Sequence, residues 1–177
     1  MDSAKQDFRS RIRRSRREST PSSDWNLLVA TPEFQNAKIV ASYASYGEEP
    51  DTRSLNDIVI AEKKILLLPR MNPDRTLSWV KWDGKPGQLL RHRNHDEPIG
   101  DSYLGPIDLI IVPALAVDHR GNRLGQGGGS YDRALAGISA WKVALINDVE
   151  LLSETLPMEE HDQSVNAAVT PTKIVRF

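Results

Sequence analysis

The chain has 177 residues, of which 39% are hydrophobic and 27% charged, a composition that suits one globular domain with a buried core. A net charge of −1 gives no general attraction to nucleic acid or a membrane surface, and the absence of cysteine excludes disulfides, thiolate zinc sites and a cysteine nucleophile. Apolar runs are too short for a membrane span or a signal peptide, so the sequence favours a cytoplasmic protein without a membrane or nucleic-acid partner.

A basic segment, residues 3–18, comes first. It holds Lys5 and six arginines, and the four-residue spacing of Lys5 with Arg9 and of Phe8 with Ile12 predicts a helix on which each pair shares a face. The residues alone leave three interpretations open: an organelle transit peptide, a nucleic-acid-binding arm, or a solvated helix, which they favour.

The first half of the chain then alternates short helices with short strands. Capping and turn residues mark helix starts near Asp24 and Pro32, and β-branched or aromatic runs mark strands. These patterns predict helices over 25–28, from Pro32, and over 55–59, with strands over 38–43, 64–68 and 77–82, the last of them more exposed.

The second half begins with a polar stretch, 84–100, which we predict to be a long surface connection. It contains His92 and His95, to which we assign no role because no metal-site spacing surrounds them. Further patterns predict buried strands over 108–112 and 141–146, a short helix over 149–156, a strand over 165–170 and a closing segment over 173–176.

This alternation predicts an α/β fold. We expect a single three-layer domain over residues 1–177, with a mainly parallel, Rossmann-like sheet covered by helices on both faces. Ligands of such sheets bind at the carboxyl ends of strands, so the loops after Tyr43 and Val112 are the expected positions of a site.

A glycine-rich loop, 118–133, follows the strand over 108–112. Gly125, Gly127, Gly128 and Gly129 fall within five residues, and a helix is predicted to begin at Tyr131. Bare backbone N–H groups at the start of a helix favour phosphate, although neither a P-loop nor a dinucleotide-binding spacing is present. A flexible turn is the alternative, but the Arg, Tyr and Asp side chains interleaved with the glycines favour a binding site.

The run Gly-Asn-Arg-Leu-Gly-x-Gly-x-Gly-x-Tyr-Asp, from Gly121 to Asp132, resembles the signature of the 5-formyltetrahydrofolate cyclo-ligase family. Lys5-Gln-Asp-Phe-Arg9 is similar to the family's Lys-x-x-apolar-Arg helix, and Glu49-Pro-Asp-Thr52 to its Glu-x-x-Thr loop. The resemblance implies a cyclo-ligase type of fold in which the basic N-terminal helix, residues 1–18, packs onto the nucleotide site, with its remaining arginines at the surface.

The resemblance also implies the activity. Members cyclise 5-formyltetrahydrofolate, with or without a polyglutamyl tail, to 5,10-methenyltetrahydrofolate with ATP and Mg²⁺, and we expect a monomeric enzyme. The implied catalytic residues are Arg123, Tyr131 and Asp132. The implied ATP ligands are Lys5, Arg9, Arg123, Gly125, Gln126, Gly127, Gly128, Gly129, Ser130 and Tyr131. The implied folate ligands are Ala44, Glu49, Gln126 and Ser130, and the implied metal ligands are Asp132 and Asp162.

Alternatives remain at this stage. A helix-capping carboxylate is the alternative for Asp132. The chain departs from the family pattern at Ala114, Gly128, Ser130 and Asn166, and Gly128 stands where some members have a lysine. The rival functions are a catalytically inactive homologue that binds folate or nucleotide as a regulator, and a nucleic-acid binder that uses the basic segment.

Overall fold

The structure, a computed structural model, describes residues 2–91 and 95–177. The helices are α1 (Asp2–Arg17), α2 (Asn26–Val29), α3 (Pro32–Asn36), α4 (Arg53–Ala61) and α5 (Ser130–Leu135). The strands are β1 (Ile39–Ala41), β2 (Ile65–Met71), β3 (Leu77–Lys81), β4 (Leu89–Arg91), β5 (Asp96–Pro98), β6 (Leu109–Pro113), β7 (Ala116–Asp118), β8 (Arg123–Leu124), β9 (Trp141–Leu145), β10 (Leu151–Leu152), β11 (Ala167–Val169) and β12 (Ile174–Arg176). Single 3₁₀ turns occupy Pro86–Gln88 and Asp148–Glu150.

One large sheet organises the described residues, with the strand order β12-β11-β9-β6-β1-β2-β3. Its five inner strands run parallel, and β3 and β12 pair antiparallel at the two edges. The Asp108 carboxylate, just before β6, accepts the backbone N–H groups of Lys38 and Ile39 at 2.8 and 2.9 Å, which fixes where β1 starts. The predicted mainly parallel α/β sheet is confirmed.

Alternate residues of the strands point to opposite faces of the sheet, as the two-residue period of a strand requires. On one face Val40, Leu109 and Ile111 pack against Leu28 of α2 and Leu55 of α4. On the other face Ala41, Ile110 and Val112 pack with Leu135 of α5. Both faces are therefore covered by helices, and the carboxyl ends of β1 and β6 open at the same edge.

A second, three-stranded sheet, with the order β10-β7-β8, carries the N-terminal helix. Ile12 of α1 is buried in an apolar cluster with Leu115, Leu124 and Leu152, and Phe8 packs partly buried against it. This contact lays α1 beside β8, the strand that leads into the glycine loop.

Several expectations about the second half of the chain are wrong. The helix over 149–156 is absent: the 3₁₀ turn ends after Glu150, because Leu151 and Leu152 pair in parallel with Val117 and Asp118. The described residues of 84–100 do not form only a surface connection, since β4 and β5 pair as an antiparallel hairpin in which Glu97 and Pro98 are buried. His92 lies outside the described residues.

The strand over 77–82 is also less exposed than predicted. Trp79 and Val80 of β3 are buried, and the Trp79 ring meets the ring of Tyr131 edge-on with centroids 6.3 Å apart. The packing of this edge strand under the start of α5 accounts for the difference. Across the described ranges, 2–91 and 95–177, no helix combines the length and the apolarity needed to cross a membrane.

Candidate active site

A cavity of about 440 Å³ lies at the carboxyl end of the large sheet, bounded by α1, the loop after β1, β5 and the glycine loop. Its walls include every residue for which the sequence predicts a role. These are Lys5, Arg9, Ala44, Glu49, Arg123, Gly125, Gln126, Gly127, Gly128, Gly129, Ser130, Tyr131, Asp132 and Asp162. Residues separated by more than a hundred positions in the chain thus face one space.

The glycine loop has a backbone that side chains would obstruct at defined points. Gly129, at the cap position of α5, has φ of 66°, and Gly127 has φ of 107°. A Cβ atom at Gly127 would stand 3.3 Å from Cζ of Arg9. Left-handed backbone and close approach to a cation both call for glycine here, and they leave main-chain N–H groups at the cavity wall.

Two buried cations of α1 reach this wall. The Nε group of Arg9 donates to the carbonyl oxygen of Gly125 at 3.1 Å. Nζ of Lys5 lies 2.5 Å from Oδ2 of Asp162 and 3.3 Å from Oε1 of Glu159. Burial opposes ionisation of Asp162, yet Lys5 and the N–H of Glu159 lower the pKa of its carboxyl below the usual value. The N-terminal helix therefore contacts the glycine loop directly.

A third cation comes from β8. Nη2 of Arg123 donates to Oδ1 of Asp132 at 2.6 Å, and the same oxygen accepts the backbone N–H of Gln163 at 3.1 Å. Gly129, and not Asp132, stands at the cap of α5. The carboxylate of Asp132 thus faces the cavity cations, which disfavours the helix-cap interpretation.

Glu49, in the loop after β1, also lines the cavity. Burial raises the pKa of its carboxyl from 4.5 to about 7, although the N–H of Tyr46, which donates to Oε2 at 3.2 Å, and the charges of Arg16 and His95 oppose the rise. The Thr52 hydroxyl holds the loop by donating to the carbonyl oxygen of Tyr43 at 2.6 Å. A half-desolvated carboxyl held in this way is prepared to accept hydrogen bonds from a ligand.

Tyr131 lines the same cavity. Its ring packs on Trp79, and its hydroxyl is buried without a hydrogen-bond partner among the described residues. Burial raises the pKa of this phenol, so it stays a neutral donor. Buried polar atoms normally have partners, and an unpartnered hydroxyl on a cavity wall suits a polar ligand atom.

The positions of His95 and Arg16 were not predicted from the sequence. His95 lines the cavity, with Nε2 3.1 Å from Oε1 of the buried Glu97 and its ring 5.7 Å from that of Tyr46. Arg16, expected at the surface with the other arginines, is buried against Glu150. The helical spacing of Arg16 from Arg9 and Lys5 was a usable signal, whereas the position of His95 depends on the unforeseen hairpin.

The cavity carboxylates suit a metal ion that is also coordinated by a bound ligand. Within 2–91 and 95–177, no group of three or more His, Cys, Asp or Glu side chains is placed to hold a metal. Asp132 and Asp162 do face the cavity, and Mg²⁺ in phosphate-transfer sites is commonly held by one or two carboxylates plus phosphate oxygens. This donor set suits Mg²⁺ that arrives with a polyphosphate.

Comparison with known proteins agrees with the geometry. A family model described as the 5-formyltetrahydrofolate cyclo-ligase family matches residues 2–171. The 5-formyltetrahydrofolate cyclo-ligase of Mycolicibacterium smegmatis is 35% identical over 150 residues, covering 78% of this chain and 76% of that protein. The enzyme of the same name from Escherichia coli K12 is 31% identical over 179 residues, covering 92% and 98%.

A solved structure shows the same fold. The NMR structure of Aquifex aeolicus 5,10-methenyltetrahydrofolate synthetase superposes with a TM-score of 0.81 at 28% identity, covering 97% of this chain and 92% of that one. The family match spans nearly the whole sequence and includes the helix, the loop after β1 and the glycine loop that form the cavity. The chain therefore belongs to the 5-formyltetrahydrofolate cyclo-ligase family.

Proposed function

We propose that the protein catalyses the ATP-dependent cyclisation of 5-formyltetrahydrofolate to 5,10-methenyltetrahydrofolate, with release of ADP and phosphate. One observation carries the assignment to these residues: a single cavity is lined both by three cations with a bare-backbone loop and by the half-buried carboxyl of Glu49. We assign the cations and the loop to a polyphosphate end of the site, and Glu49 to a folate end that meets the N–H-rich edge of a pterin.

The polyphosphate end is built from charge and main chain. Lys5, Arg9 and Arg123 neutralise phosphate oxygens, and the backbone of the loop from Gly125 to Gly129 cradles them. Asp132 and Asp162 would hold Mg²⁺, which would supply positive charge that neutralises the phosphates. Lys5 and Arg123, which those carboxylates now neutralise, would then turn to the phosphates.

The folate end is built around Glu49. An ionised carboxylate accepts two parallel hydrogen bonds from a pterin ring, and binding supplies the partners that burial of this charge lacks. Ala44, Gln126 and Ser130 also line the cavity, and we assign them to the folate. Tyr131 offers its unpartnered hydroxyl to polar atoms of the ligands.

The chemistry follows from bringing the two ligands together. The γ-phosphoryl group passes to the formyl oxygen, which converts a poor leaving group into phosphate. N10 of the folate then bonds to the formyl carbon and loses its proton, and the C–O bond breaks as phosphate departs. Positioning and charge neutralisation by Arg123, Tyr131 and Asp132 supply the catalysis, as in phosphoryl transfer generally.

The partners of the protein are small molecules only. We propose a cytoplasmic monomer that acts on 5-formyltetrahydrofolate, with or without further glutamates, and that binds neither nucleic acid nor membranes. The basic segment supports this, because Lys5 and Arg9 face the cavity and are buried, where a nucleic-acid backbone has no access.

The test is the absorbance of the methenyl product after addition of 5-formyltetrahydrofolate and Mg-ATP to the pure protein. We expect product formation that requires both ATP and Mg²⁺, and its loss in Asp132→Asn with the fold retained. If the folded protein binds folate or ATP but forms no product, the proposal is wrong and the inactive regulator takes its place.

A further inference from the structure

The buried face of α1 is unusual in its chemistry. Four described side chains of this helix are buried, namely Lys5, Arg9, Ile12 and Arg16. Their spacing of four, three and four residues places them in one stripe along the helix. Only Ile12, helped by the partly buried Phe8, joins an apolar cluster. The helix is therefore held on the body mainly by polar contacts.

Two of the three buried cations face the proposed ligand. Lys5 and Arg9 line the cavity, and their present partners are Asp162 and Glu159 for Lys5 and the carbonyl oxygen of Gly125 for Arg9. When these cations turn to phosphate oxygens, those contacts weaken. Contacts that Lys5 and Arg9 exchange for phosphate oxygens cannot by themselves fix the position of α1.

Arg16 makes a different kind of contact, at the other end of the helix. Its Nε lies 2.7 Å from Oε1 of Glu150 and its Nη2 lies 2.8 Å from Oε2, so the pair is bidentate. Nη2 also donates to the carbonyl oxygen of Ala114 at 2.7 Å. The two side chains are only 4% and 1% exposed. Neither Arg16 nor Glu150 lines the cavity of the active site.

Both partners of Arg16 are themselves fixed to the frame of the site. Glu150 accepts the backbone N–H and the side-chain amide of Asn147, each at 2.9 Å, in a capping box. Ala114 directly follows β6, whose end leads by way of β7 and β8 into the glycine loop. One guanidinium thus ties α1 to the segment that supports the phosphate-binding backbone.

We propose that Arg16 is a positioning residue for ATP: its pair with Glu150 fixes the C-terminal end of α1 and so sets where Lys5 and Arg9 meet the phosphates. This inference rests on the proposed function. Lys5 is eleven residues from Arg16, about 16 Å along the helix, so a tilt of about 5° at Arg16 would displace Lys5 by roughly 1.5 Å. Misplacement of a catalytic contact by about 1 Å can cost on the order of a hundredfold in rate.

The test compares matched pairs of substitutions. The double variant Arg16→Gln/Glu150→Gln removes both charges together, and the amide oxygen introduced by Glu150→Gln can still accept from Asn147. Arg16→Lys keeps the charge but loses the bidentate geometry. The control, Arg11→Gln/Glu154→Gln, removes an ion pair of the same helix at 3.1 Å whose side chains are 53% and 55% exposed.

Assays run at about pH 8, above the pKa of about 7 of Glu49, because loss of the Arg16 charge raises this pKa and a higher pH limits the resulting effect on folate binding. We expect KM for Mg-ATP to rise about tenfold in the double variant, the scale of one charge-assisted hydrogen bond, and to rise in Arg16→Lys. KM for the folate should stay within about twofold, and the control should match the wild type.

Two results would overturn the inference. If Tm falls while KM for Mg-ATP is unchanged, the pair only stabilises the fold. If both KM values rise together, the site has loosened as a whole and Arg16 has no particular link to ATP. Should the double variant fail to fold, Arg16→Lys and Glu150→Gln carry the same comparison.

Direct binding separates this inference from the proposed activity. Calorimetric titration with Mg-ATP should show the same loss of affinity in the double variant, even if the wild type formed no methenyl product. Hydrogen exchange adds a ligand-free measurement: amides of residues 13–17 should lose protection in the double variant and keep it in the control.

Discussion

Burial makes ionisation of the Glu49 carboxyl unfavourable in the folded protein. Burial raises the pKa of its carboxyl to about 7, which means that the folded protein is destabilised when this group ionises. The penalty is absent below the ordinary pKa of 4.5 and is complete above about 7, so this group makes the protein less stable as pH rises through that window.

Glu49→Gln should therefore lower the activity and raise the stability of the protein. We expect folate turnover to fall at least about a hundredfold, because the amide cannot accept two hydrogen bonds from the pterin edge. At about pH 8 the variant should melt roughly 5 °C higher than the wild type, since no buried charge remains. Glu48→Gln, at an exposed neighbouring residue, is the control and should change neither quantity.

The same carboxyl predicts a pH dependence of folate binding. In the proposed site the ionised form of Glu49 binds the pterin, so we expect KM for the folate to rise toward tenfold for each pH unit below about 7. Arg16 and His95 both lower the pKa and keep the carboxyl ionised to lower pH than burial alone would allow. A KM that is flat from pH 6 to 8 in steady-state assays would contradict the assigned role.

Substitution of Gly128 by lysine is expected to strengthen the binding of Mg-ATP. The φ of Gly128 is not left-handed, and a Cβ atom placed there meets only Oγ of Ser130, at 3.8 Å. Gly128→Lys adds a cation to the phosphate wall without strain, so KM for Mg-ATP should fall several-fold with Tm unchanged. Gly127→Ala is the contrasting variant, since its φ of 107° and the nearby Arg9 make any side chain costly. Equal effects of the two would show that the loop does not bind phosphate through this geometry.

At the scale of elements, the two halves of α1 make different contacts. Its first half carries Lys5 and Arg9 to the cavity, and its second half holds Ile12 and Arg16 against the body. The sequence predicted the helix and its first two cations because their spacing fits both a helix and the family pattern. The helical spacing also places Arg16 on the face of Lys5 and Arg9, but its partner Glu150 is 134 residues away, so the sequence could not identify the pair.

A truncation tests this division. A protein lacking residues 1–10 keeps the anchored half of α1, so we expect it to fold and to bind the folate as the full chain does. Its KM for Mg-ATP should rise at least about thirtyfold, because two charge-assisted contacts are lost. Activity equal to the full chain would return the basic segment to the role of a solvated helix.

The elements that sequence reasoning got wrong share one cause. The apolar residues of 149–156 fit a helix as well as a strand over so short a run, and pairing of Leu151 with Val117 decided the outcome. The β4–β5 hairpin is similar, since its register depends on contacts between distant parts of the chain. Long, strongly patterned runs such as β6 and β9 were predictable because burial on both faces leaves an unbroken apolar stretch.

At the scale of the whole molecule, the sheet brings together loops that are far apart in the sequence. The order β6-β1 in the sheet centre sets the loop that carries Glu49 beside the loop that leads to Asp132. The α/β class and the edge of the sheet at which the cavity lies followed from alternation of elements alone. The distance between the two ends of the cavity, and the pairing of each cation with a carboxylate, required the folded chain.

In the proposed reaction, this one cavity moves a phosphoryl group from ATP to the formyl oxygen. The most direct test is mass spectrometry of the phosphate released from 5-formyltetrahydrofolate labelled with ¹⁸O in its formyl group. We expect one ¹⁸O atom in the phosphate for each methenyl product formed. Unlabelled phosphate, with the ¹⁸O released to water, would contradict it.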